Sequence, residues 1–378
     1  MAEEDAWDLV PRAKRIVVKV GSSTLTRNGQ PRPDRFTALA RDISKLIELG
    51  RQVVLVSSGA IAVGAHRLGW NHTGVSMRQK QAAAAVGQIG LVQLYQRRFT
   101  KLGHDVGQVL LTRAGLEDRE RFLNARHTML ELLRMGVVPI VNENDTVATE
   151  EIRFGDNDNL AATIVNAVEA DLLVILTDVE GLYESAPEPG RPIPPLIETI
   201  SQISPRIERA ASGAGTRFGS GGMITKLQAA RSVTRSGAGT ILCHGRIQGV
   251  LEKLVSGEHH GTLFSPGVRL QSRKHWLAFT AKTRGRISID EGAVRALVDR
   301  GRSLLPAGVL RVEGDFEIGD SVSCVNEKGQ EIARGLVGYS SREISHLVGL
   351  PTREIPRVLG YSNGDEVIHR DDLVLTDD

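Results

Sequence analysis

Residues 15–23 read RIVVKVGSS, a short β-branched run that ends in a glycine and two serines. Similar apolar runs recur through the first 260 residues, at 52–57, 106–112, 137–141, 171–177 and 239–243. Longer segments of helical period separate them, at 34–49, 77–102, 118–135, 157–169 and 222–236. This alternation is typical of a parallel sheet that is covered by helices on both faces. We therefore expect an α/β three-layer sandwich with a mostly parallel sheet.

The pattern changes after residue 260, where short strand-like runs alternate with glycine and charged turns. Examples are GRISID at 285–290 and GVLRVEGDFEIGD at 308–320. A chain of 378 residues is also longer than one ordinary core requires. We predict a catalytic domain over residues 14–260, a linker over 261–283 and a small β-rich barrel domain over 284–364.

Charge is distributed unevenly along the chain. Residues 284–378 carry 12 Lys and Arg against 17 Asp and Glu, a net charge of −5, whereas residues 1–283 carry 35 against 28, or +7. A basic first part suits anionic ligands, and an acidic tail argues against non-specific nucleic-acid binding. No apolar run approaches the ~20 residues that span a bilayer, and the acidic start lacks the apolar region of a signal peptide. We expect a cytoplasmic protein with no membrane association, and RNA binding is the less favoured function.

Polar residues follow the first two predicted strands. Lys19 and the turn 21–23 end the first strand, and Ser58 and Gly59 follow the second. The carboxyl ends of parallel strands share one edge of an open sheet, and ligands bind at that edge. A lysine beside a glycine turn suits phosphate, and a hydroxyl with backbone N–H groups suits a carboxylate. Each pattern is also common in ordinary turns.

Two clusters of Asp and Asn follow the fourth strand, NENDT at 142–146 and GDNDN at 155–159. So many hydrogen-bonding groups suit the ammonium group of a zwitterionic substrate, although helix capping would use some of them. A glycine loop, GSGGMITK at 219–226, leads into a predicted helix and suits phosphate through its N–H groups and Lys226. The chain contains no GxxxxGK[ST] loop and no GxGxxG after the first strand, which disfavours P-loop and dinucleotide-binding classes.

Small residues along 81–90, QAAAAVGQIG, predict close packing of a helix in the core or at a subunit contact rather than a ligand site. The proline-rich segment 184–195 is assigned no role beyond connection or a flexible lid.

Seven stretches in order along the chain resemble the amino acid kinase family. They are VVKVGSSTL (17–25), VSSGAIAVG (56–64), LLTRAGLEDRERFLNAR (110–126), VNENDTVAT (141–149), FGDNDNLAA (154–162), LTDVEGLY (176–183) and GSGGMITKLQAA (219–230). Within that family they are most similar to the branch that phosphorylates free glutamate. The tail is similar to the PUA domain that follows the kinase domain in many members.

The resemblance implies the amino acid kinase fold and transfer of a phosphoryl group from ATP to the γ-carboxylate of L-glutamate, the first step of proline biosynthesis. It implies Mg²⁺ on the nucleotide phosphates, L-proline as a feedback inhibitor, and a homo-oligomer, either a dimer or a tetramer. A carboxylate acceptor is already ionised at neutral pH, so this reaction needs no general base.

Carried over residue by residue, the resemblance assigns three groups of site residues. The catalytic residues are Lys19, Lys226 and Asp158. Glutamate is bound by Ser58, Asp145 and Asn157. ATP is bound by Lys19, Thr177, Asp178, Ser220, Gly221, Gly222, Met223, Ile224, Thr225 and Lys226. The lysines would hold the phosphates with help from the N–H groups of Gly21 and 220–223, and Asp158 would orient the lysines.

Three other functions stay open at this point. The chain could act on another substrate of the family, such as N-acetylglutamate, aspartate, carbamate or a nucleoside monophosphate. It could bind RNA through its tail, or it could be a sensor that binds glutamate or proline without catalysis. The Asp and Asn clusters favour glutamate because they suit a free ammonium group. The retained Lys19, Lys226 and Asp158 favour an enzyme over a sensor.

Overall fold

The computed structural model describes residues 6–27, 29–148, 156–187, 190–212, 222–267 and 282–376. These residues form two compact units: the described residues up to 267, apart from Glu117–Arg119, form the first, and those from 282 onward belong to the second. The first unit contains a large, mostly parallel sheet with helices, and the second is β-rich. The predicted fold class is therefore confirmed.

An eight-stranded sheet is the centre of the first unit, and a two-stranded hairpin accompanies it. The strands are β1 (Arg15–Val20), β2 (Thr26–Arg27), β3 (Gln30–Pro31), β4 (Gln52–Ser57), β5 (Val106–Leu111), β6 (Val138–Glu143), β7 (Leu172–Thr177), β8 (Thr199–Ile200), β9 (Gly239–His244) and β10 (Thr262–Phe264). Their order across the large sheet is β5-β6-β4-β1-β7-β9-β10-β8. Neighbours from β5 to β9 are parallel, whereas β10 runs antiparallel to β9.

Helices connect these strands. They are α1 (Leu9–Arg12), α2 (Ser22–Leu25), α3 (Pro33–Glu48), α4 (Ala60–Arg67), α5 (Met77–Lys101), α6 (Arg113–Glu117), α7 (Arg119–Arg134), α8 (Asp156–Ala167), α9 (Pro205–Ser212), α10 (Gly222–Arg235) and α11 (Val250–Val255). A 3₁₀ turn, Ala6–Asp8, precedes α1. None of the helices in the described ranges is long and apolar enough to cross a membrane.

The two faces of the sheet carry different helices. Alternate residues of a strand face opposite sides, so Ile16, Val18 and Val20 share one face of β1. They are buried in a hydrophobic core with residues of α3, α5 and α11. Lys19 has the opposite parity and faces the other side, where α8 packs on β1 and α10 packs on α8. The one-residue alternation therefore directs a lysine of a buried strand toward α8.

Helices α4 and α5 are in backbone contact at two glycines. A Cβ added to Gly64 would lie 1.7 Å from the carbonyl oxygen of Ala83, and one added to Gly87 would lie 1.8 Å from that of Ala60. The close packing predicted for residues 81–90 is thus confirmed within this unit. Because α4 begins directly after the loop that follows β4, the contact also fixes the position of that loop.

The second unit contains a five-stranded sheet with short helices. The strands are β11 (Gly285–Ile289), β12 (Val309–Gly314), β13 (Ser321–Val325), β14 (Glu331–Leu336) and β15 (Leu373–Leu375), in the order β12-β11-β13-β14-β15. The helices are α12 (Glu291–Val298), α13 (Ser341–Leu347) and α14 (Ile355–Leu359), with 3₁₀ turns at Pro306–Gly308, Thr352–Glu354 and Arg370–Asp372. The unit has a hydrophobic core of its own, in which Phe316 and Tyr339 are the largest side chains.

Substituting Gly87→Ala should destabilise the first unit by about 3 kcal/mol. The new methyl group meets a carbonyl oxygen of α4, which can give way only if one helix moves, and this outweighs the ~1 kcal/mol by which alanine favours a helix. Gly90→Ala on the same helix is the control, because the three atoms nearest to its Cβ would all be side-chain atoms, the nearest at 3.2 Å. Thermal unfolding of the two variants checks the prediction, and an equal stability of both would contradict it.

Asp42 on α3 provides a prediction about pH. Burial raises the pKa of Asp42 to about 6; a hydrogen bond from the N–H of Leu251 opposes the shift and the charge of Glu252 adds to it. A raised pKa means that the carboxyl group favours the folded state below its ordinary pKa of 3.8, and this advantage is lost as pH rises through about 6. The free energy of unfolding of Asp42→Asn minus that of the wild type should therefore be about 1 to 2 kcal/mol larger at pH 7.5 than at pH 4. Urea unfolding at both pH values measures the difference, and a difference of zero would contradict the assignment.

Candidate active site

The carboxyl ends of β4, β1 and β7 meet at the centre of the large sheet. Val20 pairs with Ser57 on one side and with Leu176 on the other. The N–H of Ser58 donates to the carbonyl of Val20 at 3.1 Å, and that of Gly21 donates to Leu176 at 3.3 Å. The polar loops predicted to share an edge are therefore brought together. The N–H of Gly21 is already used by this bond, so the prediction that it assists phosphate binding is not supported.

Asp158 lies between the two lysines that the sequence singled out. Its Oδ1 is 2.5 Å from Lys19 Nζ, and its Oδ2 is 3.1 Å from Lys226 Nζ. The hydroxyl of Thr225 donates to the same Oδ2 at 2.8 Å. One carboxylate from α8 therefore holds a lysine of β1 and a lysine of α10, and the three predicted catalytic residues form one cluster.

The cluster is largely removed from water. Asp158 is fully buried, Lys19 is 5% exposed, and the side chain of Lys226 is 14% exposed. Burial lowers the pKa of Lys19, and the charge of Lys226 lowers it further, while Asp158 opposes both. Burial would raise the pKa of Asp158, but the two lysines outweigh it and hold this pKa below its ordinary range. Asp158 therefore stays ionised, and the three side chains together carry a net positive charge when both lysines are protonated.

Asn157 precedes Asp158 in the first turn of α8 and faces a different strand. Consecutive residues of a helix point about 100° apart, so Asn157 reaches the ends of β4 and β6 while Asp158 reaches β1. Its Nδ2 lies 2.8 Å from Ser58 Oγ, 3.1 Å from the carbonyl of Ser57 and 3.1 Å from Oδ1 of Asn142. Two residues predicted to bind substrate, Ser58 and Asn157, are therefore in direct contact.

The amide contacts continue from Asn142 to helix α5. Nδ2 of Asn142 donates to Oε1 of Gln88 at 2.8 Å. The connected amide groups of Asn157, Asn142 and Gln88 leave two buried atoms without a hydrogen-bond partner among the described residues, namely Oδ1 of Asn157 and Nε2 of Gln88. These three amides, called here the amide wall, therefore end in a buried acceptor and a buried donor that no described residue uses.

The predicted ATP-binding residues lie on the other side of Lys19. Thr177 ends β7 and is buried, and its hydroxyl donates to the exposed Asp178 at 3.1 Å. Gly222, Met223 and Ile224 form the first turn of α10. A Cβ at Gly222 would have no atom of the described residues within 4 Å, and Ile224 is 51% exposed. Ser220 and Gly221 lie outside the described residues.

Asp145 lies in the turn after β6, where the N–H of Val147 donates to the carbonyl of Asn144 at 3.2 Å. It is half-buried. The contacts around Asn157 described above do not include it, so its role stays a prediction that depends on its place at the same edge of the sheet.

The sequence did not identify Gln88 and Asn142 as individual site residues. Asn142 belongs to a cluster that was expected to meet substrate, but position alone did not separate it from its neighbours. Gln88 was grouped with the small residues of 81–90 and interpreted as part of a packing surface. A polar residue within a run of small apolar ones was the available signal.

Two family models match this chain, one in each of its two parts. The model of the amino acid kinase family matches residues 14–244, and the model of the PUA domain matches residues 285–359.

Three curated relatives are similar over almost the whole chain. Glutamate 5-kinase of Methylobacillus flagellatus is 51% identical over 97% of this chain and 99% of its own. The protein of the same name from Cupriavidus taiwanensis is 50% identical over the same shares, and that from Syntrophotalea carbinolica is 48% identical, again over 97% and 99%. This chain therefore belongs to the amino acid kinase family, in its glutamate 5-kinase branch.

Proposed function

We propose that this protein transfers the γ-phosphoryl group of ATP to the γ-carboxylate of L-glutamate, giving ADP and γ-glutamyl phosphate. The observation that carries the proposal is the pair of lysines, Lys19 and Lys226, held by Asp158 at the edge where the polar loops meet. The close similarity to glutamate 5-kinases supports the choice of substrate.

The reaction is a single displacement at phosphorus. An oxygen of the γ-carboxylate bonds to the γ-phosphorus, the bond from that phosphorus to the β–γ bridging oxygen breaks, and the electron pair leaves on ADP. No proton has to move, because the attacking carboxylate is ionised at neutral pH. Asp158 is bonded to two lysines and has a lowered pKa, so it acts as a positioning residue rather than as a base.

The two lysines would stabilise the negative charge on the transferring group. Lys19 comes from β1 and Lys226 from α10, so they approach from two different elements. Fixed positive groups in a buried site stabilise such charge more than they could in water, and they need no rearrangement during the reaction. The catalytic effect therefore depends on Asp158 keeping both ammonium groups in place before the substrates bind.

Strand order suggests where each substrate lies. Ser58 and Asn157 belong to the β4 and β6 side of β1, and Thr177 and Asp178 follow β7 on the opposite side. We place glutamate over β4 and β6, and the nucleotide over β7 and the first turn of α10. The γ-carboxylate and the γ-phosphate would then meet above β1, at Lys19.

Mg²⁺ would accompany the nucleotide. The described residues contain no group of three His, Cys, Asp or Glu side chains that could hold a metal ion. Mg²⁺ keeps several waters and is commonly held by substrate phosphates with one or two carboxylates. The ion would neutralise phosphate charge. The exposed carboxylate of Asp178 directly follows β7, beside the proposed nucleotide position.

Family membership supports four further proposals that the geometry leaves untested. The domains would be residues 14–260, a linker over 261–283 and residues 284–364. L-Proline would inhibit at or overlapping the glutamate site. The protein would form a homo-oligomer, a dimer or a tetramer, and would work in the cytoplasm.

The decisive experiment traps the product. The purified protein is incubated with MgATP, L-glutamate and hydroxylamine, and both ADP and the hydroxamate are measured. Hydroxamate that forms with L-glutamate, and not with N-acetylglutamate, aspartate or UMP, would support the proposal. Turnover only with one of these other substrates would keep the family and overturn the substrate.

Lys226→Met should reduce kcat by about 10² to 10³, the loss expected for one group that stabilises transferring charge. Glutamate should still bind, because Lys226 lies on the nucleotide side of the site. The matched control is Lys101→Met, which removes an exposed lysine at the end of α5. Steady-state rates and calorimetric titration of glutamate separate the two effects, and unchanged turnover would refute the mechanism.

A further inference from the structure

One backbone carbonyl determines how the side-chain amides of the site are oriented. The carbonyl oxygen of Ser57 can only accept, so the atom of Asn157 that faces it at 3.1 Å must be the NH₂ group. The same NH₂ group faces Asn142 at 3.1 Å, so the atom of Asn142 there must be its oxygen. Its own NH₂ group then donates to the oxygen of Gln88 at 2.8 Å.

This chain of donors leaves one atom unused at each end. Oδ1 of Asn157 is an acceptor, Nε2 of Gln88 is a donor, and both are buried without a partner among the described residues. Buried polar groups are nearly always hydrogen-bonded, because an unpaired one is unfavourable in the interior. An unpaired acceptor and an unpaired donor in one connected group of amides are complementary to a ligand that offers both a donor and an acceptor.

The wall lies at the correct place for one end of an amino acid. Gln88 is bonded to Asn142 of β6, and β6, β4 and β1 are neighbours in the sheet, about 5 Å apart from one strand to the next. If the γ-carboxylate lies at Lys19 on β1, the two methylene groups of glutamate carry the α-carbon toward β4 and β6. The α-ammonium and α-carboxylate would then face the amide wall.

We infer that Gln88 is a substrate-binding residue that donates a hydrogen bond from Nε2 to the α-carboxylate of the amino acid, while Oδ1 of Asn157 accepts one from its α-ammonium. Asn142 joins the two amides and fixes their orientation. The inference depends on the proposed function, because it requires an α-amino acid with its γ-carboxylate at Lys19.

Gln88→Glu tests this directly. The side-chain carboxylate introduced by this substitution keeps an oxygen that can accept from Asn142, but it replaces the donor by a negatively charged oxygen. The KM for L-glutamate should rise about tenfold or more, while the KM for ATP and kcat stay within about threefold of the wild type. Gln88→Met removes the donor without adding charge and should raise the same KM less.

4-Aminobutanoate shows which group of the substrate Gln88 contacts. It has the ammonium and the carboxylate that would be phosphorylated but lacks the α-carboxylate, so its inhibition constant should be nearly the same in the wild type and in Gln88→Glu. Gln93→Glu is the matched control, since it places the same charge on an exposed position of α5 and should leave every constant unchanged.

The outcomes are distinguishable. If the wild type forms no hydroxamate with L-glutamate, the proposed function fails and this inference fails with it. If the wild type is active and the KM for L-glutamate in Gln88→Glu stays within twofold, only the role of Gln88 is overturned. Equal weakening of L-glutamate and 4-aminobutanoate, or a parallel rise in the KM for ATP, would show a structural role and would also overturn it.

Discussion

The shared carboxylate of Asp158 is the interaction on which the rest of the site depends. Two ammonium groups close together in a buried place repel each other and lose their hydration, and a carboxylate between them offsets both effects. The salt bridges also connect three elements, because β1, α8 and α10 each contribute one of the charged side chains. Loss of the carboxylate would leave two buried cations without a counter-charge, which is unfavourable by several kcal/mol.

The position of α8 extends this constraint to the substrate side. Asn157 and Asp158 are consecutive, so the helix that holds the lysines also holds the amide that contacts Ser58. The side chains of Asn157 and Asp158 therefore cannot shift independently, because a rotation of α8 that moved one would move the other. On the opposite face of the sheet, the contact between α4 and α5 fixes both the loop after β4 and the helix that carries Gln88.

Much of the fold could be predicted from sequence because the central strands are continuous β-branched runs. The predicted spans 15–20 and 52–57 are those of the structure, and the other central strands differ by one or two residues at one or both ends. Strand order could not be predicted in this way, because an apolar run does not specify its neighbours. The antiparallel strand Thr262–Phe264 and the short helices of the second unit were missed because three to eight residues are too few to show a clear period.

The residues of the candidate site could likewise be predicted only in part from the sequence. Lys19, Asp158 and Lys226 could be predicted as one group because glycine and charged residues at strand and helix ends form patterns that a family resemblance can identify. Their contact, however, joins residues far apart in sequence and is visible only in the fold. Gln88 was missed because a single amide among small residues has the same pattern as a packing helix, and the two roles coincide here.

The unused amide atoms suggest how the site could select its substrate. A pocket that merely fits a ligand discriminates weakly against a slightly smaller one, whereas a pocket with buried polar groups rejects a ligand that leaves them unpaired. Lys19 and Lys226 attract any anion and cannot distinguish glutamate from another carboxylate or phosphate. Selectivity must therefore come from the opposite end of the substrate, where the amides of Asn157 and Gln88 require an ammonium and a carboxylate together.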